Sequence, residues 1–318
     1  MNLRGCTVLV TGASGFVGQH LCPALTAAGA RVHGSGVDER ALPRTVDHWH
    51  IAELLDAAAV ERAVASEIPD VVVHLAGQSS AATSFDKPIE TYRLNVIGTW
   101  TVLEAVRRHA PRARVLVVGS GEVYGPQAEG TRVSEDSPFR PVSPYALSKG
   151  AADAMSEAFA RRHGLEVVRT RSFGHTGPGQ SPVFAVPSFA RQIAEIEAAR
   201  RDPLLRVGNL DVTRDLTDVR DVVAGYIGLL ERARPGAAYN VCRGEGVRLA
   251  DVVGRLIARA RVPIHVEVDP ARVRPADLPY LVGDASAILR DTGWRATTPL
   301  DETLDDVLAD WRGRIEKI

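Results

Sequence analysis

Short valine-bearing runs alternate with longer amphipathic stretches through the first half of the chain. The segments 7–11, 31–35, 71–75, 114–118 and 166–170 predict buried parallel strands. Between them, 16–28, 57–67, 89–110 and 145–163 place apolar residues at helical spacing and predict helices. This alternation predicts an α/β fold with a doubly wound parallel sheet and helices on both faces. Ligands of such a sheet bind outside the carboxyl ends of the strands. Beyond Arg171 the rhythm changes, and the glycine-rich G-H-T-G-P-G-Q-S (174–181) leaves the sheet. A helix over 186–200, a short strand over 205–207 and a helix over 218–231 follow, the last expected to return to the main domain. A further helix starts near Val247, a strand lies near 265–268, and 269–279 is rich in turns. The expected organisation is a Rossmann domain of 1–172 plus about 211–243 with a smaller, interleaved substrate-binding lobe of about 173–210 and 244–318. There is no internal repeat and no low-complexity linker.

With 318 residues the chain can bury a substantial core, and its net charge of −1 supplies no global field toward nucleic acid or a membrane. Three cysteines (Cys6, Cys22, Cys242) show no metal-type spacing and read as buried thiols of a reducing compartment. Met1–Cys6 leads directly into the first strand without a signal-like segment, and no apolar run reaches the ~20 residues of a membrane span. A cytoplasmic location is expected.

Chemistry enters at the strand ends. V-L-V-T-G-A-S-G-F-V-G (8–18) sets Gly12, Gly15 and Gly18 at the turn from the first strand into a helix. A dinucleotide pyrophosphate sits well at such a helix start, where backbone N–H groups and the helix dipole favour anions. Y-A-L-S-K (145–149) puts the Tyr145 phenol and the Lys149 amine one helical turn apart, on one face. Over a nicotinamide, that pair serves an alcohol/ketone couple. Ser120, in the loop after the fourth strand, can donate to a substrate carbonyl oxygen. Tyrosine alone, with a pKa near ~10, is a poor acid–base catalyst, so Lys149 is expected to lower it. The second strand ends at Gly34-Ser35-Gly36 without an acid for a ribose hydroxyl. Asp38 and Glu39 come late, and Arg40 and Arg44 could meet a 2′-phosphate, so NADPH and NADH both stay open.

Several longer stretches carry a resemblance: T-G-A-S-G-F-V-G (11–18), H-L-A-G-Q-S-S (74–80), L-N-V-I-G-T (94–99), G-S-G-E-V-Y-G (119–125), S-P-Y-A-L-S-K (143–149) and T-G-W (292–294). The chain resembles the extended short-chain dehydrogenase/reductase family. The resemblance implies a Ser120, Tyr145, Lys149 triad and a cofactor held by Gly12, Ser14, Gly15, Phe16, Val17 and Gly18. It adds Leu54, Leu75, Ala76, Gly77 and Phe173 on the same side, with Tyr145 and Lys149 also touching the cofactor. F-G-H-T-G-P-G-Q (173–180), F-A-R-Q-I-A-E-I-E (189–197), V-G-N-L-D-V-T-R-D-L-T-D-V-R-D (207–221), Y-N-V-C (239–242) and R-V-R-P-A-D (272–277) look like GDP-4-keto-6-deoxy-D-mannose reductases. That likeness implies reduction of a sugar-nucleotide C4 ketone to GDP-D-rhamnose. Asn209, Arg214 and Arg274 would hold the nucleotide diphosphate and base, Ser79 and Ser80 the sugar, and Asn95 would stand behind the active site. Arginine forks suit phosphate. The helices 89–110 and 145–163 resemble those forming a four-helix bundle in homodimers of the family.

One departure stands out: Gly174 replaces the asparagine usual in the family, which leaves the sugar and base open. Glu122 matches a glutamate that related 4,6-dehydratases use as a base, although Gly121 stands where many of them carry a second acid. The reductases also carry that glutamate. A dehydratase or 4-epimerase with retained NAD is therefore the alternative, and a non-catalytic redox sensor the third reading. His74, His163 and His175 share no metal spacing, and no metal is expected.

Overall fold

The computed structural model describes residues 1–38, 45–273 and 278–317. Its centre is a seven-stranded parallel sheet. In chain order its strands are β1 (Thr7–Thr11), β2 (Arg31–Gly36), β3 (His48–Ile51), β4 (Val71–His74), β5 (Arg114–Ser120), β6 (Glu166–Ser172) and, later in the chain, β10 (Ala238–Val241). In space they run β10-β6-β5-β4-β1-β2-β3, so the order reverses between β1 and β4. Valine runs become central strands because both faces are covered. Val8 and Val10 of β1 enter one core, while Leu9 between them enters the other. Val71, Val72 and Val73 of β4 alternate in the same way.

Helix α1 (Phe16–Ala27) and the later α8 (Val219–Arg232) cover one face; α2 (Ala57–Glu67), α5 (Gly98–His109) and α6 (Pro144–His163) cover the other. The return of the 218–231 region to the main sheet is as expected, with Asp218 capping α8 from outside the helix. The T-G-W motif explains its own presence: Trp294 is buried against the α1–α8 face, and its Nε1 donates to Asp221 O at 2.9 Å. The three cysteines are unpaired thiols, Cys22 and Cys242 buried and Cys6 half-buried.

The 89–110 stretch is one continuous helix, as expected, with a local feature that the periodicity does not show. It runs through α4 (Pro88–Tyr92), a π-helical turn (Arg93–Ile97) and α5 with right-handed helical backbone at each junction, following a short α3 (Ala81–Asp86). The cause is Asn95, whose buried amide turns inward to backbone partners, and an inserted π turn is how a helix aims one such side chain. The edge strand β3 (H-W-H-I) was not anticipated, because an exposed edge carries no apolar run.

Elements outside the large sheet form smaller pieces. Strands β7 (Gly174–Thr176), β9 (Thr213–Asp218), β11 (Gly246–Arg248) and β13 (Tyr280–Leu281) make one sheet, and β8 (Leu204–Val207) pairs with β12 (His265–Val268) in another. Residues 213–218, counted from sequence with the main domain, thus pair in the second sheet: their side of the chain turns toward β7 and β11 before α8 returns. Helices α7 (Ala185–Glu197), α9 (Leu249–Ile257) and α11 (Leu300–Ile315) pack around Leu205, Val207 and Leu216, whereas α10 (Ser286–Thr292) lies by α8. Among the described residues, no helix is long and apolar enough to cross a membrane.

Candidate active site

Where the strand order reverses, a cavity of about 1110 Å³ opens at the carboxyl ends of β1, β4 and β5. That is larger than the ~300–1,000 Å³ of an ordinary single-ligand pocket. Its floor is the first strand-to-helix turn. Gly12 has φ +68°, and a Cβ there would lie 2.8 Å from the Ala76 backbone, so a side chain is excluded both by conformation and by the approach of the β4 end. At Gly18 a Cβ would overlap the Ala13 carbonyl; glycine lets α1 settle on the turn. Gly15 occupies the N-cap position and supplies no side chain to the first N–H groups of α1. These donors therefore remain for an anionic ligand. Gly12, Ser14, Gly15, Phe16, Val17 and Gly18 all line the cavity, and Leu54, Leu75, Ala76, Gly77 and Phe173 join them from other elements. The close-packed glycine turn with an uncapped helix start fits a dinucleotide pyrophosphate.

The three residues expected to do chemistry converge on the same cavity. Ser120 ends β5, and its Oγ accepts from Glu122 N–H at 3.2 Å, capping a short 3₁₀ turn (Gly121–Tyr124). Because that bond uses an oxygen lone pair, the hydroxyl proton remains available for donation. Tyr145 stands in the first turn of α6, which Pro144 starts and the Ser143 side chain caps by accepting from Ala146 N–H at 3.1 Å. Tyr145 and Ser120 both line the cavity, and the Ser120 hydroxyl acts on the Tyr145 phenol. Burial foremost, with the Glu122 carboxylate added, pushes the phenol pKa well above its ordinary value, against the opposing effect of Ser120. Lys149 lies one turn on, and its Nζ donates to Val118 O at 3.0 Å. Burial lowers its pKa to about 8. The expected lowering of the tyrosine by the lysine is therefore not what this arrangement produces. Desolvation dominates both groups, and the amine is engaged with the sheet.

Behind the triad, Asn95 organises the loop after β4. Its Oδ1 accepts from Gln78 N–H at 2.9 Å, and its Nδ2 donates to Gln78 O at 3.0 Å and Ser148 Oγ at 2.9 Å. His74 is fully enclosed, with Thr11 Oγ1 at 2.8 Å and Thr99 Oγ1 at 3.0 Å on its two nitrogens. Desolvation, with the Lys149 charge second, lowers its pKa to about 3, so it serves as a neutral bridge between β1, β4 and α5.

On the other wall, Ser79, Asn209, Arg214 and Glu122 line the cavity. Ser80 does not. Its Oγ accepts from Thr83 N–H at 3.2 Å and caps α3, a local role that a serine before a helix takes readily. Arg274 lies outside the described residues, as do Glu39, Arg40 and Arg44. Gly174 also lines the cavity, and a Cβ there would meet Asp215 O at 2.8 Å and Leu216 at 3.1 Å, because β7 pairs closely with β9. The sequence reading missed Ser35 and Gly36 at the end of β2, and Ala52 and Glu53 after β3, all on the cavity wall. The unpredicted edge strand concealed the last two. His175, weighed only as an acid–base or metal residue, stacks on Phe16 with ring centroids 6.1 Å apart.

The match to the GDP-mannose 4,6 dehydratase family extends over residues 9–307. The chain belongs to that family. Its similarity to the GDP-6-deoxy-D-mannose reductase of Pseudomonas aeruginosa is 35% identity, covering 98% of each chain. In three dimensions it resembles the structure of RMD from Pseudomonas aeruginosa complexed with NADPH, with a TM-score of 0.86, 33% identity, and coverage of 97% of this chain and 99% of that one. The UDP-glucose 4-epimerase of Thermus thermophilus in complex with NAD has the same TM-score of 0.86 at 30% identity, covering 96% of this chain and 99% of its own. The fold is thus that of the extended short-chain dehydrogenase/reductases, as the sequence motifs implied.

Proposed function

We propose that this chain is an NAD(P)H-dependent reductase of a nucleotide-linked 4-keto-6-deoxy sugar, with GDP-4-keto-6-deoxy-D-mannose as substrate and GDP-D-rhamnose as product. The observation that carries the reading is a buried Tyr145 beside Ser120 in a cavity whose glycine turn suits a dinucleotide, in a chain similar over 98% of its length to a GDP-6-deoxy-D-mannose reductase. A reduced nicotinamide bound there would supply hydride to the sugar C4. Ser120 donates to the carbonyl oxygen and stabilises the charge that grows on it. Tyr145 delivers a proton to that oxygen; its raised pKa holds the proton until the oxygen becomes strongly basic. Lys149 holds the cofactor ribose and replaces the proton by relay. Asn209 and Arg214, with Arg274, bind the nucleotide diphosphate and base, and Ser79 faces the sugar. The substrate lobe closes over the large sheet. In this reading the protein is cytoplasmic.

Exposed apolar side chains on α4, the π turn, α5 and α6, including Ile89, Ile97, Trp100 and Leu147, support a homodimer built through a four-helix bundle. A second reading, 4,6-dehydration or 4-epimerisation with retained NAD, is favoured by one observation: Glu122 lies in the cavity close enough to raise the Tyr145 pKa.

The deciding assay follows loss of reduced-nicotinamide absorbance with GDP-4-keto-6-deoxymannose generated in place by a dehydratase. NADPH and NADH are run in parallel, and NMR reads the product C4 configuration. Oxidation yielding GDP-D-rhamnose is expected. Tyr145→Phe should lose about 10²–10⁴-fold in turnover while still binding cofactor. A protein that retains NAD through desalting and consumes no reduced cofactor moves the reading to the dehydratase or epimerase.

A further inference from the structure

Away from the cavity, the edge of the large sheet gathers three imidazoles around one carboxylate. The register pairs His33 of β2 with His48 of β3, and their ring centroids are 4.7 Å apart. Because side chains alternate along a strand, His50 shares the face of His48. Helix α2 ends over that face and delivers Glu67. Glu67 Oε1 lies 2.7 Å from His50 Nε2 and 3.3 Å from His48 Nδ1, and Oε2 lies 2.5 Å from His33 Nδ1. His33 and Glu67 side chains are about nine-tenths buried, at 9% and 10% exposure. Despite its short approach to Glu67, His33 Nδ1 has no aligned hydrogen-bond partner. The ligating atoms of His33, His48 and Glu67 all fall within 4.8 Å of one another.

We propose that His33, His48 and Glu67, with His50 bonded to Glu67 beside them, form a binding site for one first-row divalent transition-metal ion of the zinc type. Imidazole nitrogens with a carboxylate oxygen are the donor set such ions take, whereas Mg²⁺ and Ca²⁺ prefer oxygen alone. Zinc–ligand distances of about 2.0–2.2 Å set donors some 3.3–4 Å apart around a common centre, so the present spacing needs only side-chain adjustments. The ion would fasten the outermost strand β3 to β2 and α2. Both strands run on into the cavity wall, at Gly36 and at Ala52 and Glu53. The role assigned to the ion is structural.

The test uses the untagged full chain, stripped with a chelator and desalted, then titrated with Co²⁺ and Zn²⁺ by calorimetry and visible spectroscopy. One ion per chain is expected, with Co²⁺ d–d bands, no thiolate charge-transfer band, displacement by Zn²⁺, and a metal-dependent rise in Tm. His48→Ala and His50→Ala, both at the sheet edge, should each weaken binding at least ~10-fold and remove most of the Tm rise. NADPH affinity measured without metal should stay unchanged in both variants, which shows that they fold. Cys6→Ser should bind metal as the parent does. Absence of saturable binding, equal affinity in both histidine variants and the parent, or a thiolate band would each overturn the assignment.

Discussion

Tyr145 and Lys149 show how far a residue's chemistry depends on what surrounds it. Their four-residue spacing on a helix places phenol and amine on one face, and the structure keeps them there. Their protonation is a different matter. Burial drives the phenol toward its neutral form and pulls the lysine down to about pKa 8, from an ordinary 10.5. For a reductase the first shift is useful, since the phenol must arrive protonated. The second has a measurable consequence. Below about pH 8 Lys149 is charged both folded and unfolded, and folding carries the full cost of burying the charge. Between pH 8 and about 10.5 the unfolded chain binds the extra proton, so this cost fades as pH rises. Lys149→Met should accordingly be more stable than the parent at pH 7, by about 3 kcal/mol at most. Tm measured for both proteins across this range should show the gap closing toward pH 10.5; a constant gap would mean that the amine is not desolvated.

At the scale of elements, the junction of β1 with α1 rests on close approach. Gly18 packs its helix directly on the Ala13 carbonyl, so Gly18→Ala must lift the first turn of α1 away from β1. Overpacking of this kind costs about 1–3 kcal/mol. The N–H groups meant for the pyrophosphate shift with it, so Tm should fall and the NADPH dissociation constant rise at least ~10-fold. Fluorescence titration beside a melting curve checks both; unchanged affinity would detach the turn from the cofactor. The spacing of the three glycines is enough to make this junction legible in the sequence. The π turn at Arg93–Ile97 was not legible, because helical periodicity cannot register one inserted residue whose purpose is a contact with Gln78, a distant loop residue. β3 escaped for a related reason: its four residues alternate polar and apolar at a half-exposed edge too short to stand out, and its strand character comes from pairing with β2.

At the scale of the whole molecule, an exposed apolar surface and the large cavity carry the predictions. The apolar side chains of Ile89 (73% exposed), Trp100 (48%) and Leu147 (55%) lie on helices that pack with one another beside the large sheet. Such a concentration is costly in water and typical of an interface. If the proposed dimer forms, Trp100→Asp combined with Leu147→Asp should convert it to a monomer in sedimentation, while cofactor affinity is kept. A parent that sediments as a monomer would remove the bundle. The cavity, for its part, draws on the large sheet and on the smaller pieces at Asn209 and Arg214, so the candidate site exists only when both are assembled.

Local pattern alone was enough for five strands of the central sheet, the glycine turn, and the spacing of Ser120, Tyr145 and Lys149. Each is written in local periodicity or fixed spacing, and a parallel strand buried on both faces can be recognised from its own residues. Only the tertiary structure decided which hydroxyl faces the cavity. Ser79 does and Ser80 turns to cap α3, a choice made by the path of the chain around Asn95. It also decided that Gly174 sits under the Asp215 carbonyl, that Thr213–Asp218 joins the second sheet, and that His33, His48, His50 and Glu67 meet at one edge. These follow from pairing between segments far apart in the chain, where no local pattern carries the information, and from desolvation, which depends on everything packed around a group.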